Sequence, residues 1–155
     1  MRGLIYLFVI TCTATAHADD FSGRVVRIHS GDSLSVLVEG KQVRVLLDGI
    51  DAPDLRQAYG KEARQSLVDL CAGTTAKVAE KKKDARGRIV GAVTCAGLDA
   101  NNEQVRRGMA WVSAQNVPVG SPLYELESYA RLRKVGLWRE DNPVAPWIWR
   151  KKKKD

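Results

Sequence analysis

The sequence has few residues of the types that bind transition metals. Its 155 residues include two histidines, His17 and His29, and three cysteines, Cys12, Cys71 and Cys95. No two cysteines form a CxxC pair, and the spacing of cysteine and histidine matches no zinc-binding pattern. The sequence therefore argues against a zinc protein.

Long apolar runs are scarce as well. The main one covers residues 4–10, follows the positive charge of Arg2 and precedes Ala16-His17-Ala18, a small-residue cleavage pattern. Together these features predict a secretory signal peptide over residues 1–18, with Asp19 as the first mature residue. A membrane anchor is the alternative, but the run is too short to span a bilayer comfortably. We expect a soluble mature protein without a membrane segment, in the periplasm or the extracellular medium.

Removal of the signal peptide would leave two cysteines, Cys71 and Cys95. A pair of cysteines in an oxidising compartment favours one disulfide, here between the end of a predicted helix and a strand of the next hairpin. Two buried thiols are the alternative.

Positive charge exceeds negative charge in this chain. The formal net charge is +7, of which Arg2 would leave with the signal peptide. A basic exported protein suggests an anionic partner, and nucleic acid, phospholipid and acidic wall polymers all satisfy that condition. Residues 151–155, KKKKD, predict a basic tail after a single domain over residues 19–150. A tail that only increases solubility is the simpler interpretation of this run.

Hydrophobic periodicity predicts a β-rich α+β fold. The predicted strands are residues 23–28, 33–38, 43–47, 75–79 and 88–94. The predicted helices are residues 60–72, a short helix ending near Gly108 with Asp99 or Asn101 as its cap, and a helix that starts at Ser121-Pro122 and stops at Gly136. Three strands in a meander and two in a hairpin can close into a five-stranded, OB-like barrel, with three helices around it.

Three short motifs lie at the ends of these strands. They are Gly31-Asp32-Ser33, Asp51-Ala52-Pro53-Asp54 and Asp84-Ala85-Arg86-Gly87-Arg88. Each motif alone is more typical of a turn than of a site. In this order and spacing, they resemble the staphylococcal (micrococcal) nuclease family over roughly residues 21–150. The resemblance implies an OB-like barrel that hydrolyses DNA and RNA with Ca²⁺.

The resemblance assigns roles to individual residues. Asp32 and Asp51 match the family's carboxylate ligands of Ca²⁺, and Ala52 matches a backbone carbonyl ligand, which are the oxygen donors that calcium prefers. Arg88 matches an arginine that contacts the phosphate, and Arg86 adds charge beside it. Asp54 occupies the position of the general base.

Several positions depart from the family. Leu46 stands where a second phosphate-binding arginine is expected, Ser30 replaces a third acid, and Asp54 replaces a glutamate. Arg44, two residues before Leu46 on the same strand face, could reach the phosphate in its place or could pair with Asp48.

Base-stacking aromatics also differ from the family pattern. Ala114 and Asn116 stand where tyrosines are expected, and Trp111 is either a substitute or part of the core. The remaining tryptophans predict packing of the C-terminal segment on the domain, and they are Trp138, Trp147 and Trp149.

Two functions are compatible with this pattern. The first is an exported Ca²⁺-dependent endonuclease of reduced activity, acting on DNA or RNA as a monomer. The second is a nuclease-derived module that binds nucleic acid, or another anionic or protein partner, without cleaving it.

Overall fold

The computed structural model describes residues 20–153, so the predicted signal peptide and Cys12 lie outside the described residues. Within them, the strands are β1 (Phe21–Ser30), β2 (Ser33–Val38), β3 (Lys41–Leu47), β4 (Ile50–Asp51), β5 (Thr75–Lys83), β6 (Ile89–Cys95), β7 (Leu98–Asp99) and β8 (Trp111–Val112). The α-helices are α1 (Gly60–Cys71), α2 (Ala100–Arg106), α3 (Pro122–Leu132) and α4 (Pro146–Lys152), and a short 3-10 helix covers Gly136–Arg139.

Five of these strands form a closed barrel. β1 pairs antiparallel with β2 and β5, β2 pairs with β3, and β5 pairs with β6. Parallel pairing of β3 with β6, at Val45 with Ile89 and Leu46 with Val90, closes the sheet. Alternate side chains of the strands point inward and are fully buried, among them Leu34, Val36, Val45 and Val93. The predicted β-rich α+β fold with a five-stranded barrel is confirmed.

The helices differ from the prediction in number. The three predicted helices are α1, α2 and α3, with Asp99 capping α2 and Ser121 capping α3 through their side-chain oxygens. A fourth helix, α4, begins at the buried Pro146 and continues to Lys152, past the predicted start of the basic tail. Proline is well suited to the first helical turn, where its missing N–H has no intrahelical partner.

Strand β5 is longer than predicted. It continues to Lys83 through a lysine-rich segment that the sequence indicated as a connection, and Lys83 pairs with Ile89. A register shift between Glu80 and Lys82 marks an irregularity in this extension. Cross-strand pairing thus overrides the low strand preference of the charged residues.

A short two-stranded sheet lies beside the barrel. The chain leaves β3 through Gly49, whose φ of 77° lies in the left-handed region that glycine adopts without strain. It then enters β4, in which Asp51 pairs with Trp111 of β8. This pairing fixes the backbone of Asp51 relative to the barrel end.

The two cysteines of the domain form a disulfide. Cys71 at the end of α1 is bonded to Cys95 at the end of β6, with a Cα–Cα distance of 5.2 Å. The predicted pairing is confirmed, and the bond ties the helix to the barrel. Between residues 20 and 153, none of the helices is both long enough and apolar enough to cross a membrane.

Candidate active site

A cleft of about 510 Å³ opens at the end of the barrel where β3 leads into β4. Five carboxylates line it, among them those of Asp32, Asp51 and Asp54. Three guanidinium groups line the same cleft, from Arg44, Arg88 and Arg150. The first five of these residues were predicted from the sequence, and the structure brings them together in one site.

Asp32 is held by hydrogen bonds to both of its carboxylate oxygens. The Ser30 hydroxyl donates to Oδ1 at 2.6 Å, and the backbone N–H of Ala52 donates to Oδ2 at 2.8 Å. Ser30, which replaces an acid of the family pattern, therefore orients Asp32. Ala52 contributes its N–H here. The role of its carbonyl as a metal ligand remains a prediction.

The loop that carries Asp32 is packed too tightly for a larger residue. A Cβ atom on Gly31 would lie 2.6 Å from Cβ of Ala63 and 2.8 Å from Cβ of Ala52. The buried amide of Gln104 donates to the carbonyls of Gly31 at 2.6 Å and Ala63 at 2.9 Å. Gln104 was not among the residues predicted for the site, because its two partners lie 73 and 41 residues away in the chain.

The environment of Asp32 favours a bound cation. Burial raises the pKa of the Asp32 carboxyl, and the nearby charge of Asp51 raises it further, although hydrogen bonds from Ser30 and Ala52 oppose both effects. Both carboxylates line one cleft, and a cation bound there would offset the repulsion between their charges.

The donor set fits a hard divalent cation. In the part of the chain that the structure describes, no group of three or more His, Cys, Asp or Glu side chains forms a metal cage. Carboxylates of Asp32 and Asp51 with a backbone carbonyl can hold Ca²⁺ when water or phosphate oxygens complete its coordination. The site thus lacks a full protein cage but retains suitable ligands.

Arg150 is a second residue of the site that was not predicted from the sequence. Its guanidinium makes two hydrogen bonds to Asp51, Nη2 to Oδ2 at 2.5 Å and Nη1 to Oδ1 at 3.1 Å. Nη1 also lies 3.4 Å from Oδ1 of Asp54. Arg150 follows these carboxylates by 99 and 96 residues, so no local pattern links them.

Arg88 is oriented by the loop that joins β5 to β6. Its Nη2 lies 2.6 Å from Oδ2 of Asp84, and its backbone N–H donates to Oδ1 of the same residue at 2.9 Å. The side-chain hydrogen bond from Arg88 lowers the pKa of the Asp84 carboxyl. Arg86 instead lines a neighbouring groove, which Arg44 and Arg88 also border.

Arg44 and Asp48 each contact other residues. Arg44 Nε donates to the Ser33 hydroxyl at 3.1 Å, and Asp48 forms an ion pair of 2.8 Å with Lys81. The suggested Arg44–Asp48 pair is therefore wrong, because β5 brings Lys81 to Asp48. The shared strand face is as predicted, since Arg44, Leu46 and Asp48 all line the cleft.

The aromatic residues pack mainly against one another. Trp111 lies edge-on to Trp138, with ring centroids 4.5 Å apart, and to Trp147 at 5.7 Å. Arg131 covers Trp138, with its guanidinium carbon 4.1 Å from the ring centroid. Trp111 thus packs with the C-terminal segment. Of its two predicted roles, this agrees with the core residue and not with the base-stacking substitute. Ala114 and Asn116 line a groove beside the cleft.

Comparisons with known proteins agree with this geometry. A family model described as "Staphylococcal nuclease homologue" matches residues 44–140. A protein named "Uncharacterized endonuclease" from Escherichia coli is 39% identical over 155 residues, which cover 99% of this chain and 100% of that protein. A "Micrococcal nuclease" from Shigella flexneri is 38% identical over 166 residues, which cover 100% of this chain and 94% of that protein. "Staphylococcal-like nuclease CAN1" from Arabidopsis thaliana is 37% identical over 117 residues, covering 76% of this chain and 36% of that protein.

The fold and the site together define a class of protein. A cleft that holds carboxylates and arginines can meet the needs of phosphodiester hydrolysis, which are a bound water, a base and cations for the phosphate. The chain belongs to the staphylococcal nuclease homologue family. It is therefore a nuclease, and its substrate is nucleic acid.

Proposed function

We propose that this nuclease is an exported, Ca²⁺-dependent endonuclease that cleaves DNA and RNA as a monomer, with reduced turnover. The observation that carries this proposal is the cleft in which Asp32, Asp51 and Asp54 lie with Arg44 and Arg88. Carboxylates that could hold a cation and arginines that could hold a phosphate are the two requirements of the reaction, and both line one cavity.

Asp32, Asp51 and the carbonyl of Ala52 would hold the Ca²⁺. When bound there, Ca²⁺ would polarise the phosphodiester and neutralise charge that develops on its oxygens. The hydrogen bonds from Ser30 and Ala52 keep Asp32 in place without using all the lone pairs of its oxygens.

Asp54 acts as the general base in this proposal. It would take a proton from water as the water oxygen attacks phosphorus, and the bond from phosphorus to the leaving oxygen would break. Arg88, oriented by Asp84, would contact the phosphate, and Arg44 lines the same cleft. Arg86 would bind the polyanion further along, in the neighbouring groove.

Two positions reduce the expected turnover. Leu46 lines the cleft without a charge, and loss of one fixed donor to a transition state costs on the order of a hundred- to a thousandfold in rate where no other group replaces it fully. Asp54 is one methylene shorter than glutamate, and misplacement of a reacting group by about 1 Å can cost a further hundredfold.

Two properties support export. The disulfide of Cys71 and Cys95 is typical of oxidising compartments. Residues 1–18 have the signal pattern. Mass measurement of protein recovered from periplasm and medium should give a chain that starts at Asp19, and an intact N-terminus would contradict cleavage of the signal.

The deciding experiment is hydrolysis of heat-denatured DNA and of RNA by the purified protein, with Ca²⁺ and with a chelator. Asp51→Ala should abolish cleavage, and Leu46→Arg should raise it. Cleavage by the natural protein that persists in the chelator would contradict the calcium site. Salt-sensitive nucleic-acid binding without any cleavage would contradict the enzyme and support the binding module instead.

A further inference from the structure

The C-terminal segment is packed against the active site. Ala145 and Pro146 are buried, and Trp147 contacts Trp111 edge-on. The side-chain amide of Gln57, which follows the Asp54 loop, donates to the carbonyl of Val144. These contacts fix the start of α4, so Arg150 reaches the cleft from an anchored helix and not from a free tail.

The guanidinium of Arg150 lies between two carboxylates of the site. It contacts Asp51, the proposed metal ligand, and lies 3.4 Å from Asp54, the proposed base. The phosphate to be cleaved must lie beside a cation on Asp51 and beside a water held by Asp54. A group that touches both carboxylates is therefore within reach of that phosphate.

The other arginines leave a place for this group. Arg88, oriented by Asp84, provides one of the two expected phosphate-contacting guanidinium groups, Arg44 donates to Ser33, and Leu46 leaves the second expected cation missing. Between residues 20 and 153, Arg150 is the lining arginine that contacts the proposed metal and base residues directly.

We propose that Arg150 is a catalytic residue that supplies, from the C-terminal helix, the phosphate-contacting guanidinium that position 46 lacks, and that it pairs with Asp51 when no metal is bound. This inference rests on the proposed function. Because the guanidinium uses both oxygens of Asp51, it competes with a metal ion for that carboxylate. Once displaced, its planar fork of donors matches two phosphate oxygens as well as it matches a carboxylate.

The test compares Arg150→Ala with Lys152→Ala, which removes one positive charge from the same helix at an exposed position. Calcium affinity is measured by calorimetry on each protein, and kcat on denatured DNA is measured separately. Arg150→Ala should bind Ca²⁺ about two- to fivefold more tightly, the range expected for loss of a partly exposed ion pair. Its kcat should fall by about a hundredfold or more. Lys152→Ala should change neither quantity.

Rescue separates a catalytic role from a structural one. If Arg150 replaces the missing arginine, the double variant Leu46→Arg with Arg150→Ala should recover most of the lost kcat. Thermal unfolding and circular dichroism of each variant establish that the domain is intact, and Arg150→Lys should retain the charge but lose part of kcat, since lysine lacks the bidentate fork.

Three outcomes would overturn the inference. A higher kcat in Arg150→Ala would make α4 a brake on the enzyme, and an unchanged kcat and calcium affinity would make the ion pair incidental. Failure of Leu46→Arg to restore kcat would show that the two positions are not equivalent. A natural protein that binds calcium but does not cleave DNA would contradict the proposed function, and with it the catalytic role of Arg150. This result differs from the three above, which concern the variants.

Discussion

Substitution of Gly31 by alanine should impair the metal site through packing alone. The added Cβ would lie 2.6 Å from Cβ of Ala63 and 2.8 Å from Cβ of Ala52, whereas carbon atoms in contact lie about 3.5–4.0 Å apart. Backbone must move by roughly 1 Å to relieve this contact, because both neighbours are buried and neither has a flexible side chain. Asp32 follows Gly31 directly, so a shift of this backbone moves the Asp32 carboxylate.

The size of the effect follows from that displacement. Overpacking of a buried position typically costs about 1–3 kcal/mol of stability. Displacement of a reacting group by about 1 Å costs around a hundredfold in rate. We therefore expect Gly31→Ala to lower the free energy of unfolding by about 2 kcal/mol, to weaken calcium binding and to lower kcat by up to about a hundredfold.

The assay combines urea denaturation, calcium calorimetry and nuclease kinetics. Gly40→Ala is the matched control, since a Cβ there has no atom within 4 Å and the φ of 78° causes only local strain. It should lose about 1 kcal/mol of stability and keep its calcium affinity and kcat. Gly31→Ala with calcium affinity and kcat of the natural protein would refute the packing argument.

Three further predictions concern other parts of the molecule. Cys71→Ser with Cys95→Ser should lower the free energy of unfolding by about 3 kcal/mol for a loop of 24 residues, measured by urea denaturation; an equal stability would refute a native disulfide. Burial raises the pKa of Asp32 in the folded protein above its pKa in the unfolded chain. The free energy of unfolding therefore falls as the pH rises above the pKa of the unfolded chain. Asp32→Asn should make the calcium-free protein more stable at pH 7 and less sensitive to pH. A melting temperature that drops in this variant would contradict that sign. Asp84→Asn should lower kcat/KM by about ten- to a hundredfold, because Arg88 loses its orientation; unchanged kinetics would show that Arg88 does not need Asp84.

Local sequence patterns predicted most of the fold. Alternating apolar residues in β1 to β3 identify strands because side-chain direction in a strand depends only on neighbouring residues. Ser121 was predicted as a helix cap, and Asp99 as one of two candidates with Asn101, because a cap bonds to residues two or three positions away. The extension of β5 to Lys83 was missed, since its partner in β6 stabilises it and its own composition does not.

The site was predicted in part, through motifs and the family resemblance. Asp32, Asp51, Asp54 and Arg88 all line one cleft, as expected from their positions at strand ends. Arg86 lies in the neighbouring groove and not in the cleft with Arg88. Sequence spacing does not show which way each side chain of one loop points.

The sequence by itself determined the barrel, the order of the helices and the carboxylate-bearing loops, because these depend on short-range periodicity and turn chemistry. Tertiary structure alone decided which groups complete the site. Gln104 reaches Gly31 across 73 residues, and Arg150 reaches Asp51 across 99. Contacts at such separations depend on how packed elements meet in space, and a linear pattern contains no trace of them.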